Sequence, residues 1–472
     1  MNSEKTSSSG IIIVLFITLA AHLQLLFNDF HTDDWEILIV MRDGFNWRAF
    51  LSMEKLANFR PFVNIIIYLR SLFFDNIAAL WYALNIGLHL VAVYLVYKLT
   101  CQLANRWAAV IAALVFGLYF QHFEAVLWLY GIVRLVAAIL ILPALIYYFR
   151  FKQSAAGRDL IKSYIFFALA LFTVEDSIIF ALFFAGDLLI TKPRLNHNKY
   201  YALGYFGLVG IYMLLRFWAI GPGNPSTDYF FLGAHGLANF YSYCVWIILP
   251  QLNHPYLIAA VSKYLPFLSI NAGAVSLAVF IVFMITSIMI FIKGNLFEKT
   301  MLMFLLLSLV MPSFLDTKVS TKLLYLPSIG AAAIAGSLLG RFWQWQRSKS
   351  WVRAAAVGVF VIYLSAQAIA INGTIRYYRI TQANVRQVVN ELTALEMDWQ
   401  KYNYMILENL PGRTRPGFAI KYLMNIDIHL ILSNEETENL PKIESSIADF
   451  KARGISYILI DFQSGQPVIL ER

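Results

Sequence analysis

Long apolar runs separated by short charged breaks set the pattern of this chain. The runs fall at about 11–27, 77–98, 105–121, 130–149, 162–174, 177–191, 200–220, 272–292, 300–315, 323–340 and 351–371. Each reaches or approaches the roughly 20 apolar residues that a helix needs to cross a hydrocarbon core about 30 Å thick. They predict about 11 transmembrane helices. Basic breaks recur at Lys98–Arg106, Arg150–Lys162, Lys192–Lys199, Lys293–Lys299 and Arg341–Arg353. Placing these on the cytoplasmic side puts the N-terminus inside, makes every second loop external and leaves the segment after Gly373 outside. The run Ile11–Phe27 is followed by Asn28-Asp29-Phe30-His31 and by no small-residue cleavage site, so it reads as an uncleaved first span.

Two external loops are long. Loop 28–76 holds an amphipathic piece at Trp35–Met41 and a helix start at Arg60-Pro61. Loop 221–273 holds two apolar stretches, 230–250 and 255–270. Interfacial helices over a pocket are the favoured reading; a re-entrant hairpin or a further pair of spans preserves the same parity. Short spans 162–174 and 177–191 read as a tight pair of tilted helices meeting at Glu175-Asp176. Past Gly373 the pattern changes. Ile380–Gln400 reads as an amphipathic helix, Tyr404–Leu407 and Tyr457–Asp461 as short buried strands, and Ile443–Arg453 as a helix closed by Gly454. Alternating helix and strand predict a small α/β domain. The expected architecture is an all-α polytopic membrane bundle over residues 1–372 with an extramembrane α/β domain over 373–472.

Composition narrows the class. The chain of 472 residues is 59% hydrophobic and only 14% charged, against about 25% charged in soluble globular proteins. This excludes one soluble domain, and an aromatic-rich, charge-poor chain is not disordered. Unbroken apolar runs, where alternation would be needed, disfavour a β-barrel. The net charge is +9, yet from Gly373 onward 11 Lys and Arg face 12 Asp and Glu. The excess therefore lies in the membrane part, where the positive-inside rule accounts for it, and nucleic-acid binding is not implied. Cys101 and Cys244 lie far apart, near opposite faces in this topology, so neither a disulfide nor a metal centre is expected.

Candidate chemistry gathers in the external segments. Asn28-Asp29-Phe30-His31-Thr32-Asp33-Asp34-Trp35-Glu36 sets four carboxylates and a histidine directly after the first span. Carboxylates at the lip of a hydrocarbon slab lose hydration and become better bases; the plainer alternative is a solvated acidic loop. Arg60 stands before Pro61, where a proline starts a helix well, and faces a phosphate, an acid or lipid headgroups. His89 lies mid-span, where a polar side chain faces the bundle interior, as a helix–helix hydrogen bond or as a substrate contact. Glu124 lies in a short external loop, Arg134 enters the next span and needs a carboxylate or phosphate, and Glu175-Asp176 form a second acidic pair. Lys318 and Lys322 flank the entry to Leu323-Leu324-Tyr325-Leu326-Pro327-Ser328, as lipid-head contacts or snorkelling lysines.

In this order the pieces resemble the polytopic GT-C-type glycosyltransferases that use polyprenyl-phosphate sugars, especially the protein O-mannosyltransferase-like branch and its bacterial relatives. The Asp-Asp-Trp stretch is similar to that family's acidic first external loop, Phe59-Arg60-Pro61-Phe62 to its Arg-Pro helix start, and Asn85 to His89 to its Asn-x-x-x-His span. Glu124 to Gly131 with Arg134 resembles the loop before span four. Phe172-Thr173-Val174-Glu175-Asp176 resembles the Ser-Lys-Glu stretch, and Lys322 to Ser328 the Arg-Tyr-Leu-Tyr-Leu-Pro-Ser segment. The resemblance covers about residues 11–340. Departures are Val174 in place of a lysine, Leu135 in place of an acid, and Lys322 where arginine is usual.

The resemblance implies an inverting transfer of a sugar from a polyprenyl-phosphate donor to a hydroxyl of a glycan, lipid or protein acceptor on the external face. It implies a first-loop carboxylate as general base, Asp34 ahead of Asp33. It implies Arg60, Arg134 and Lys322 as contacts of the donor phosphate, with Asp29, His31, His89, Glu124, Glu175, Asp176 and Tyr325 supporting. No cofactor is required; a divalent metal at the acids is possible but not implied. A bacterial inner membrane is the expected location. Two other classes stay open: a non-catalytic relative that binds the lipid carrier, and a transporter or flippase, which predicts internal repeats and broken midplane helices that the sequence does not display.

Overall fold

The computed structural model describes residues 9–31, 34–42, 59–190, 198–220, 233–250, 271–315, 319–345, 350–410, 416–426, 428–432, 440–462 and 466–471. Outside them lie the second apolar stretch of the long loop, 255–270, most of the basic break Lys192–Lys199, and the candidate residues Asp33 and Lys318.

In chain order the helices are α1 (Ser9–His22), α2 (Asp34–Arg42), α3 (Pro61–Phe74), α4 (Ala78–Leu103), α5 (Arg106–Gly117), α6 (Phe123–Leu127), α7 (Ile132–Ser154), α8 (Gly157–Leu171), α9 (Ile179–Ile190), α10 (Asn198–Ile220), α11 (His235–Ile248), α12 (Ala272–Lys293), α13 (Leu296–Ser313), α14 (Pro327–Trp345) and α15 (Ser350–Thr393). Then follow β1 (Tyr404–Glu408), α16 (Gly417–Leu423), β2 (His429–Leu432), α17 (Leu440–Arg453), β3 (Tyr457–Asp461) and β4 (Val468–Glu471).

Every expected apolar run lies on a helix, but the count of about 11 spans is not what these helices support. Among the described residues seven are long and apolar enough to cross a membrane, or eight if α5 and the segment Phe120–Leu127, bent by 54° against it, form one span. The pair flanking Glu175-Asp176 falls short because α8 and α9 have 15 and 12 residues. At 1.5 Å per residue they reach about 22 and 18 Å, below a core about 30 Å thick.

The chain divides into two compact units. The first comprises Met1–Gln24, Asn46–Arg70 and Trp81–Thr374; the second comprises Leu25–Phe45, Ser71–Leu80 and Ile375–Arg472.

In the first unit α5 and α14 pack through small residues. A Cβ at Gly336 would stand 2.3 Å from the Ala108 carbonyl oxygen and 3.0 Å from Ala112 Cβ. Gly336 and Gly340 thus lie four apart against Ala108 and Ala112, the spacing that lets helices in lipid approach closely. Gly336→Ala is expected to destabilise by about 1–3 kcal/mol through overpacking, read as a lower midpoint of thermal unfolding in detergent. A half-exposed ion pair stands at the start of α13: Glu298, fully buried, reciprocates the Asn295 cap and accepts from the exposed Arg341 at 2.8 Å and from Ser337 at 2.8 Å.

The second unit holds the α/β elements. Strand order is β2-β1-β3-β4, with β1 parallel to β2 and β3, and β4 antiparallel to β3. Parallel neighbours require crossovers, supplied by α16 and α17. Ile406 of β1 and Tyr457 and Leu459 of β3 bury against Phe450 of α17. The expected strands are β1 and β3, and α17 ends at Gly454, whose φ of +66° suits a residue without a Cβ. The sequence did not reveal β2, β4 or α16. The helix expected from Ile380 is the latter part of α15, which runs unbroken through Asn372-Gly373.

Candidate active site

The acidic first-loop segment belongs to the second unit. Asp29 forms an ion pair with Arg386 of α15, and its Oδ1 also accepts the Phe30 N–H at 2.8 Å. Asn28 donates to the Ile375 carbonyl at 3.1 Å and accepts from Arg379 at 3.0 Å. Together these polar contacts fasten the chain leaving the first span to α15. Asp34 is the first residue of α2 and is fully buried; its Oδ2 accepts the His31 N–H at 2.8 Å. That bond fixes the carboxylate at a helix N-terminus, where negative charge is favoured. Trp35 buries beside it, its ring against Phe30 at 4.9 Å and the Arg386 guanidinium 5.0 Å above it. The His31 ring lies 5.0 Å from that of Tyr378. Asp33 lies outside the described residues.

The expected cations belong to the first unit. Arg60, just before α3, donates through Nε to Glu175 at 2.7 Å and through a terminal nitrogen to the Tyr130 hydroxyl at 3.2 Å. Burial opposes the charged guanidinium, but Glu175, Tyr130 and Asp176 outweigh it, so the Arg60 pKa is raised and the group stays cationic. Arg134, at the start of α7, pairs with Asp176. The adjacent acids therefore hold one arginine each, and α3 is tied in further by the Phe62 N–H donating to the Phe172 carbonyl at 3.0 Å. The arginines expected to meet a phosphate are already ion-paired, so an arriving anion meets a compensated quartet.

Lys322 sits in the turn before α14. Its Nζ lies 4.0 Å from the Trp128 ring centroid, a cation–π arrangement. Glu124 holds this turn by the backbone, accepting the Lys322 N–H at 2.9 Å and the Ser320 hydroxyl at 2.6 Å. From the interior, His89 is bonded to the Tyr325 hydroxyl at 2.7 Å and to the Gly117 carbonyl at 3.1 Å. His122 bonds Ser328 at 2.7 Å. Asn85 donates to the carbonyls of Val126 and Trp128, each at 3.0 Å, which sets the loop carrying Glu124. Asn85, His89, Glu124, Trp128, Lys322 and Tyr325 thus form one connected network. Lys318 lies outside the described residues.

Sequence reasoning missed several members. His22 and His122 flank His89 at ring-centroid distances of 5.1 and 5.5 Å. Tyr243 accepts the Ser320 N–H at 3.4 Å, and Asn239 donates to the carbonyls of Ser313 and Leu315. Polar residues within apolar helices were the available signal for His22 and Asn239. Arg379 and Arg386 carried none, because their partners lie some 350 residues away. Among the described residues no group of three or more His, Cys, Asp or Glu is arranged to hold a metal ion.

No protein-family model matches the chain, and no curated protein matches it in sequence. Solved structures do. The oligosaccharyltransferase of Archaeoglobus fulgidus in its apo form superposes with a TM-score of 0.56 at 12% identity, covering 97% of this chain and 70% of that one. The same enzyme in complex with an inhibitory peptide and a dolichol-phosphate gives a TM-score of 0.55 at 12% identity, covering 96% and 69%. ArnT from Cupriavidus metallidurans in the apo state gives 0.51 at 12% identity, covering 97% and 93%. The likeness runs through nearly the whole of this chain and is one of fold.

Proposed function

We propose that this chain, which has the fold of the GT-C glycosyltransferases, transfers a sugar from a polyprenyl-phosphate donor to an acceptor hydroxyl at the membrane surface. The observation that carries the reading is the Lys322 turn. A cation faces the Trp128 indole just before α14, while Glu124 holds the Lys322 backbone N–H and His89 holds the Tyr325 hydroxyl. A preorganised cation suits a phosphate whose charge grows as it leaves. The complex of the archaeal enzyme with a dolichol-phosphate supports a lipid phosphate as the ligand class.

In the reaction an acceptor hydroxyl loses its proton to a carboxylate while its oxygen attacks the anomeric carbon. The bond from that carbon to the phosphate oxygen breaks, and its electron pair leaves with the lipid phosphate. One displacement inverts the anomeric centre. The base role falls to Asp34, buried and held at a helix start. Lys322 supplies the charge at the leaving phosphate, with Arg60 and Arg134, ion-paired to Glu175 and Asp176, as its further contacts. The acceptor is a glycan, lipid or protein hydroxyl, and an inner membrane with the α/β elements external is the proposed setting. A protein that binds the carrier without turnover would hold the same lipid.

Native mass spectrometry of the purified chain tests the donor class. A retained polyprenyl-phosphate sugar is the expected result, and its mass names the sugar. Lys322→Met is expected to lose that lipid while unfolding at the wild-type temperature. Wild-type protein that carries no polyprenyl lipid when purified and takes up none when supplied with polyprenyl-phosphate sugars would overturn the reading.

A further inference from the structure

A pocket of about 460 Å³ opens where α7 ends and α8 begins, lined by Arg150, Gln153, Ser154, Arg158, Asp159 and Lys162. Three cations face one carboxylate there, so the lining carries net positive charge. Two of the cations share one aromatic ring: Arg150 lies 5.3 Å and Lys162 5.1 Å from the Tyr147 centroid. This holds them on the same side of the turn despite their mutual repulsion. Ala155 makes the corner in the left-handed region, with φ of +57°. The α8 N-terminus that follows has no side-chain cap, so its positive end adds to the field of the three cations.

Position selects the ligand. The pocket lies at the end of Leu129–Ser154, a 26-residue helix apolar enough to span. At 1.5 Å per residue that helix is about 39 Å long, so its end reaches the headgroup layer. Directly below the cations, Ile161 and Ile165 are 59% and 53% exposed one turn apart on α8. An anionic phosphate above an exposed apolar track is the chemistry of a phospholipid. We propose that this corner binds the phosphodiester headgroup of an anionic membrane phospholipid, with an acyl chain lying along Ile161 and Ile165. None of these residues takes part in the transfer chemistry above.

The test uses the full chain, stripped of lipid in neutral detergent and titrated with phosphatidylglycerol or phosphatidylcholine, with bound lipid counted by native mass spectrometry. One phosphatidylglycerol held in preference to phosphatidylcholine is expected. Combined Arg150→Gln, Arg158→Gln and Lys162→Gln is expected to weaken it about a hundredfold. The same retention in that variant overturns the proposal. So does an equal loss in a Lys293→Gln, Lys299→Gln control, which would mean general attraction to basic loops. Displacement by glycerol 3-phosphate at the concentration of the lipid would assign the pocket to a soluble phosphate and overturn the lipid reading. Should the triple variant fail to fold, Arg158→Gln and Lys162→Gln singly, both at exposed positions, are each expected to weaken retention, and unchanged retention in both overturns it.

Discussion

Asp34→Asn is expected to abolish measurable sugar transfer while leaving the protein folded and its lipid bound. General-base assistance is typically worth about 10²–10⁴-fold, and an amide cannot take the acceptor's proton at neutral pH. The substitution is conservative in structure. Asparagine keeps a carbonyl oxygen where Asp34 Oδ2 accepts the His31 N–H, and gives up only the charge that a helix N-terminus favours, typically worth about 0.3–1 kcal/mol. The start of α2 and the burial of Trp35 should persist. Asp34→Ala removes both the base and the acceptor, so its extra effect on unfolding temperature isolates the structural part. Asp29→Asn is the informative contrast. Its carboxylate is committed to Arg386, so its loss should act on stability more than on the rate of bound substrate. The assay is transfer from the retained donor lipid in detergent, with lipid occupancy read in parallel. Asp34→Asn protein turning over at the wild-type rate would remove Asp34 from the mechanism, and wild-type protein that binds donor without turnover would leave a carrier-binding role.

Much of this was legible in the sequence for plain physical reasons. Apolar runs long enough to span, a proline at the start of α3, and a glycine closing α17 each announce an element through local chemistry. The same locality limits the reading. Runs 162–174 and 177–191 are visibly short in the sequence, and their fold as α8 and α9, of 15 and 12 residues, leaves the count of about 11 spans unconfirmed. The α15 helix crosses Gly373 because one glycine costs only about 1 kcal/mol in a helix interior, too little to break a helix of 44 residues. Among the candidate residues, Glu175 and Asp176 were visible as a charged pair between apolar helices, yet their partners were not. Pairing with Arg60 and Arg134 joins positions 115 and 42 residues apart. Likewise His89 was visible as a polar residue in a span, while its bond to Tyr325, 236 residues on, is a product of the fold.

That pairing carries the second large effect. Asp176→Asn should cost about 3–5 kcal/mol, because removing one partner leaves a buried charge uncompensated. Arg134 and Asp176 are 8% and 12% exposed, so water cannot replace the lost carboxylate as it would at a surface pair. Glu175 is no substitute, since it is engaged by Arg60 at 2.7 Å. The expected observation is a large drop in the thermal unfolding midpoint in detergent, with faster proteolysis between α8 and α9. Replacing both partners together, Arg134→Met with Asp176→Leu, should restore most of the midpoint, because an apolar pair of similar volume removes the buried charges altogether. The rescue separates two roles for the quartet. A double variant that is stable and still transfers sugar would make the Arg134–Asp176 pair a brace between α7 and the turn before α9. A double variant that is stable but retains no donor lipid would make Arg134 a phosphate contact that Asp176 holds ready. Failure of the double substitution to restore stability would mean that the loss comes from the altered start of α9 and not from the stranded guanidinium.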